Sequence, residues 1–263
     1  MSFLEVQNLA AGYGGTPILE NLSFRVESGC LVGLLGTNGS GKTTLLKAIC
    51  SIVPHRGRCL LNSTPLEELS PRRLAQKCGY IPQRSGISID VSVLDVVLMG
   101  FNPRMPLLSH PTSAMEKSAL EVLKAVGLDR RAQDNYLTLS EGQKQLCILA
   151  RTLVSESQLL LLDEPESALD FRLRYDLLAK VRSWLLGGER AALVALHDPA
   201  LALNECDRLL LLADGQIVGT ITPRTDSTEK MEQMLGVLYG HVSLQRCQNR
   251  AGQDCLVMLR EDI

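Results

Sequence analysis

The chain opens on alternation. Across residues 3–28, Leu22, Phe24 and Val26 fall on one side while Ser23, Arg25 and Glu27 fall on the other, the two-residue period of half-buried strands. Gly12-Tyr13-Gly14-Gly15 interrupts that pattern as a turn between the first two strands. From Cys30 to Leu35 the alternation gives way to an unbroken apolar run, as expected of a short parallel strand covered on both faces. Thr44 to Ile49 then reads as the first turns of a helix. A short strand is expected at Cys59–Asn62, a helix starting at Ser70-Pro71 (a capping hydroxyl followed by proline at the first position), and a strand over Gly79–Gln83 that ends at its proline.

From about Arg84 to Glu156 the texture becomes helical. Ser92 is placed to cap Val93–Met99, and Ser113 to open a helix through Val126 with Leu120, Leu123 and Val126 on one face. A loop with three prolines, Phe101 to Thr112, separates them. Leu159 to Leu162 then restores a fully apolar strand, followed at once by Asp163-Glu164-Pro165. A helix over Asp170–Leu186, a Gly187-Gly188 turn and a strand over Ala191–Leu196 lead to His197-Asp198-Pro199. A hairpin, Leu209–Leu212 with Gln216–Gly219, turns at Asp214-Gly215. The end reads as a helix over Glu229–Leu238 and two short strands, Val242–Arg246 and Cys255–Leu259. The class is α/β, with an antiparallel β region first and a helical block inserted at 84–156.

Composition narrows the function. At 263 residues and 45% hydrophobic the chain can bury a substantial core. A net charge of −2 without a basic block excludes the electrostatic footprint of a nucleic-acid binder. No apolar run approaches the ~20 residues of a membrane helix, and the start MSFLEVQN lacks the order of a signal peptide. A cytoplasmic location is expected. Eight cysteines, at 30, 50, 59, 78, 147, 206, 247 and 255, include no C-x-x-C pair. Cys30 and Cys147 lie within apolar runs, so the expectation is packing, not metal or disulfide chemistry.

The strongest chemical signal is Gly36-Thr37-Asn38-Gly39-Ser40-Gly41-Lys42-Thr43, which fits G-x-x-x-x-G-K-[ST] between an apolar strand and a helix. Glycines at 36, 39 and 41 let the main chain curl so that successive N–H groups converge on an anion. The positive end of the following helix adds to that field. Lys42 can reach the β- and γ-phosphates, and the Thr43 hydroxyl can ligate magnesium. Asp163 and Glu164, and later His197, stand just past the carboxyl ends of apolar strands, where open α/β sheets place their sites. For Tyr13 two roles stay open, covering a hydrophobic edge or stacking on adenine.

Taken together, GTNGSGKT, Gln83 after a strand, LSEGQ (Leu139–Gln143), LLLLDEP (Leu159–Pro165), SALD (Ser167–Asp170) and His197 resemble the nucleotide-binding subunit of ATP-binding-cassette transporters over nearly the whole chain. The resemblance implies a P-loop NTPase core with an N-terminal antiparallel β subdomain and an inserted α-helical subdomain. It implies a cassette domain over 1–224, a helix and strand-pair extension over 225–263, and ATP with Mg2+. By the same resemblance Tyr13 stacks on adenine, and Asn38, Ser40 and Thr44 join Gly36, Gly39, Gly41, Lys42 and Thr43 in holding the nucleotide. Gln83 contacts magnesium and the attacking water, and Asp163 holds the metal. Glu164 is the general base, and His197 steadies the γ-phosphate. Ser140, Gly142 and Gln143 meet the nucleotide of a second copy in a head-to-tail dimer, with Asp170 across that interface.

Two positions depart from the family pattern. Glu141 stands where a second glycine is usual, and its carboxylate could slow closure of the dimer. Glu166 stands where threonine is commoner, without an evident reason. The finer resemblance, carried by ELSPRRLAQKCGYIPQ, VLMGFNPRMPLLSHPTSAMEKSALEVL and ALHDPALALNECDRLLLLADGQIVG, is to ATPases of iron-chelate, haem and cobalamin importers, a branch that also serves oxyanions such as molybdate. It implies a polytopic permease partner, indirectly an extracytoplasmic substrate-binding protein, and a place on the cytoplasmic face of the membrane. The alternative is a soluble cassette ATPase acting as an assembly factor or scaffold; a cassette that binds ATP without turnover is disfavoured by Glu164 and His197.

Overall fold

A computed structural model describes residues 2–84, 86–106 and 108–261. Ser85 and Leu107, both inside the region expected to be helical, lie outside the described residues, as do Met1, Asp262 and Ile263. The chain begins with strands β1 (Ser2–Tyr13), β2 (Thr16–Glu27) and β3 (Leu31–Gly36), then helix α1 (Lys42–Ile49). Next come β4 (His55–Leu61), the two-residue β5 (Thr64–Pro65), α2 (Pro71–Lys77) and β6 (Cys78–Ile81). The helical block holds α3 (Val93–Leu98), α4 (Ser113–Ala125) and α5 (Glu141–Leu153). The core resumes with β7 (Leu159–Asp163), α6 (Phe171–Leu185), β8 (Ala191–Ala195), α7 (Pro199–Glu205), β9 (Arg208–Ala213) and β10 (Gln216–Ile221). Helix α8 (Thr228–Tyr239) and strands β11 (Val242–Gln248) and β12 (Asp254–Arg260) close the chain.

The central sheet has the order β10-β9-β3-β8-β7-β6, parallel except for β10, which returns from β9 as a hairpin. The four-leucine strand explains why it sits inside. Leu160 and Leu162 join one buried cluster with the helical block, while Leu159 and Leu161 join the other with α1 and the antiparallel sheet. Neither face meets water, so polar alternation is absent from the sequence there. The antiparallel sheet, β2-β1-β4-β5, covers the second face. In the closing segment Met231, Leu235, Leu244 and Leu256 are buried in the first cluster, so the helix and strand pair pack into the same core as the sheet.

Local expectations hold where capping decides them. The Ser70 and Ser92 hydroxyls accept the N–H groups of Arg73 and Asp95 at the starts of α2 and α3. Two expectations are corrected. Helix α4 opens at Ser113 as expected, capped by the Thr112 hydroxyl accepting the Met115 N–H, and Leu123 and Val126 are buried, but Ala119 completes that face in place of Leu120, which is 41% exposed. Strand β4 begins at His55, four residues before the apolar signal, because backbone pairing with β1 reaches Ala11↔His55 across polar residues that face solvent. Among the described residues no helix is long and apolar enough to cross a membrane.

Candidate functional site

The order β3-β8-β7-β6 gathers four strand ends that are far apart in sequence. From β3 comes the loop 36–43, from β8 His197, from β7 Asp163 and Glu164, and from β6 Gln83. They surround a cavity of about 420 Å³ lined by Asn38 to Thr44 together with Ile18, Gln83, Glu164 and His197.

The loop is built by left-handed glycines. Gly39 (φ +81°) and Gly41 (φ +104°) adopt backbone that other residues enter only with strain. A Cβ on Gly41 would also lie 2.5 Å from Leu19. The buried Lys42 ammonium lies across the loop, donating to the carbonyls of Gly36 (2.7 Å) and Thr37 (3.2 Å), with Glu164 Oε1 at 3.9 Å. Burial lowers its pKa, partly opposed by Glu164, Asp163 and Glu166. A site that strips water from a cation in this way favours an anionic ligand, which restores the lost stabilisation.

Asp163 is buried, and its two oxygens are each occupied by a hydroxyl donor. Thr43 donates to Oδ1 at 2.9 Å and Tyr80 to Oδ2 at 3.0 Å. Desolvation raises the Asp163 pKa, and these two donors pull it back. Thr43, Asp163 and Gln83 together offer hydroxyl, carboxylate and amide oxygens, the hard donor set that suits magnesium. Glu164 has a left-handed backbone (φ +50°) for a residue that is not glycine, the local strain that concentrates at functional sites. Its Oε2 accepts from Gln83 Nε2 at 2.8 Å and lies 2.6 Å from His197 Nε2. A carboxylate, an amide and an imidazole thus meet at one oxygen beside the phosphate-type loop. That group can orient and deprotonate a water molecule.

Two residues that the sequence left without a role belong to this assembly. Tyr80 was visible only as a strand residue, three positions before Gln83. Glu166, 2% exposed, accepts the backbone N–H of His197 through Oε1 at 2.9 Å, while its Oε2 has no hydrogen-bond partner among the described residues. Burial raises its pKa, and the His197 hydrogen bond lowers it.

Other expected site residues stand apart. Tyr13, 49% exposed at the β1–β2 turn, lies outside the cavity lining, to which its hairpin contributes Ile18. Ser140 and Gln143 form a reciprocal cap at the start of α5: the Ser140 hydroxyl accepts the Gln143 N–H, and Gln143 Oε1 accepts the Ser140 N–H at 3.0 Å. Gly142 follows in that first turn, and none of the three lines the cavity of its own chain. Asp170 caps α6, accepting the Leu173 N–H at 2.9 Å, also away from the cavity. Glu141 pairs with Lys144 at 2.7 Å on the exposed side of α5, so its charge is locally compensated.

A family model described as ABC transporter matches residues 19–167. The chain belongs to the ABC transporter family. It is an ATPase of that family. It is 36% identical over 244 residues to the hemin import ATP-binding protein HmuV of Bordetella pertussis, covering 89% of this chain and 92% of that one. A Helicobacter pylori ATP-binding protein assigned to iron chelatin transport is 34% identical over 226 residues, covering 81% and 85%. Among solved structures, a chain from an inward-facing ABC transporter assigned to the metal-chelate type superposes with a TM-score of 0.82 at 26% identity, covering 98% of this chain and 96% of that one.

Proposed function

We propose that this ABC ATPase is the ATP-hydrolysing subunit of an importer for haem or a related metal chelate. The observation that carries the chemistry is the meeting of Gln83, Glu164 and His197 within hydrogen-bonding reach, beside Lys42 and the loop 36–43. Phosphoryl transfer needs charge neutralisation and an oriented water more than covalent participation. The loop N–H groups and Lys42 bind the phosphates. Glu164 takes the proton of the attacking water, and Gln83 and His197 fix the oxygen that takes it. A magnesium ion held by Thr43, Asp163 and Gln83 would neutralise charge on the β- and γ-phosphates.

Ser140, Gly142, Gln143 and Asp170 line no part of their own chain's cavity, which supports their use in trans, on the nucleotide of a second copy. Two cavities would then lie at a head-to-tail interface, with Tyr13 against each adenine. The cargo reading rests on the hemin and iron chelatin transport named for the Bordetella and Helicobacter relatives. Cobalamin and molybdate are other cargoes of the same reading. The partner is a polytopic permease at the cytoplasmic face of the membrane, served by an extracytoplasmic binding protein.

The test is to recover the tagged chain from detergent-solubilised host membranes. A many-spanning permease in equal number to this subunit is the expected result, and its binding protein would name the cargo. Recovery only from the soluble fraction, with a soluble partner, would overturn the importer reading.

A further inference from the structure

Sequence spacing pairs none of the eight cysteines, but the fold sets two of them opposite each other. Cys247 on β11 and Cys255 on β12 are register partners in the closing hairpin. Asn249 N–H donates to Gln253 O at 2.9 Å on one side, and Glu261 N–H to His241 O at 3.0 Å on the other. Counted by twos from either end, 247 and 255 fall on a backbone-bonded pair, whose Cα atoms stand about 5.5 Å apart. That separation lies inside the window in which two cysteines can be bridged without moving the backbone. Direct cross-strand partners also project to the same face.

The side chains agree with the backbone. Desolvation and the neighbouring Cys255 thiol together raise the Cys247 pKa. Cys255 Sγ donates to the Gln253 carbonyl at 3.5 Å. Cys247 is exposed and Cys255 half-buried. Of the other six, Cys59, Cys78, Cys147 and Cys206 are buried, and Cys30 and Cys50 are half-buried elsewhere in the fold.

We propose that Cys247 and Cys255 form a reversible thiol–disulfide modification site, closed by exchange with a low-molecular-weight disulfide such as glutathione disulfide. One thiolate attacks a glutathione sulfur, forming a mixed disulfide and releasing one glutathione thiolate. The second cysteine, losing its proton, attacks the protein sulfur of that mixed disulfide and expels the other glutathione. The protein gives up two electrons and two protons, and the oxidant leaves as two molecules of reduced glutathione. An exposed link of this kind is open to reduction by the same thiols, which makes it reversible.

The hairpin is held to the rest of the molecule next to the pair. Asn204 on α7 donates to the Leu256 carbonyl (2.9 Å) and accepts the Leu256 N–H (2.8 Å), and Arg246 donates to the carbonyls of Pro223 and Asp226. The link therefore joins the strand gripping α7, which begins two residues after His197, to the strand gripping the 223–226 turn.

The experiment treats the full-length reduced protein with glutathione disulfide, then counts thiols after denaturation and maps the peptides. The expected result is loss of two of the eight thiols, an intact mass lower by two hydrogens, a Cys247–Cys255 cross-linked peptide and full reversal by dithiothreitol. Cys255→Ser should instead trap a glutathione adduct on Cys247. Stable glutathione adducts on both wild-type cysteines, a link between other positions, or loss of two thiols in Cys247→Ser would overturn the proposal.

Discussion

The buried carboxylate of Glu166 holds the backbone N–H of His197 at 2.9 Å, tying the loop after β8 to the residues after β7. The bond spans two neighbouring strand ends and fixes the main chain that carries the imidazole. Glu166 would act on catalysis through that loop, as a positioning residue.

Its protonation gives a signed test. Burial lifts the Glu166 pKa above its ordinary 4.5, so the folded protein binds this proton more tightly than the unfolded chain. The stability contributed by the group is therefore full below pH 4.5 and is lost as pH rises through the folded pKa. Glu166→Gln keeps an acceptor for His197 and removes the buried charge. Its Tm relative to the parent should climb as pH rises from 4.5 through the folded pKa and then level off. A Tm difference that is flat with pH would show that Glu166 is not held protonated by burial.

Glu164→Gln removes the base while preserving a side chain that can still bond Gln83 and His197. ATP binding should persist, and steady-state turnover should fall by about 10²–10⁴, the usual share of a general base. Turnover within a few-fold of the parent would remove Glu164 from the role of base.

What was legible in the sequence was local or periodic. The four leucines of β7 announce a strand with no solvent face, and Ser70, Ser92 and the Asp214-Gly215 turn act on residues within a few positions. The contacts that were not legible join strand ends whose adjacency depends on sheet order. Tyr80 and Asp163 lie 83 residues apart, and Glu166 and His197 31 apart. Nothing in the order of strands along the chain says that β6 lies beside β7, or that β8 lies between β3 and β7. The cysteine pair was hidden differently: its strands were expected, but one residue of register decides whether Cys247 faces Cys255.

Tyr13 tests the adenine side. It is exposed on a turn outside the cavity lining, so Tyr13→Ala removes little packing. Loss of a stacked ring should weaken ATP binding by roughly 1 kcal/mol, about fivefold, with the maximal rate little changed. Equilibrium nucleotide titration measures it, and an unchanged affinity would return Tyr13 to the role of covering a hydrophobic edge.

The Tyr80 hydroxyl isolates one donor to Asp163. Tyr80→Phe keeps the ring and deletes the donation to Oδ2, leaving Oδ1 with Thr43. A buried acceptor stripped of its partner costs about 1–3 kcal/mol. That cost falls on the ionised carboxylate, because the lost bond favoured the charged form. The deficit should be full above the folded pKa of Asp163, which burial already raises from 3.8, and should fade as pH drops below it. The variant should also need more magnesium for half-maximal ATPase activity, since Asp163 would be less often ionised and less firmly oriented. Urea unfolding at neutral and acid pH, paired with a magnesium titration, separates the two effects. A deficit of equal size at both pH values, with an unchanged magnesium requirement, would mean that Tyr80 only fills space beside the carboxylate.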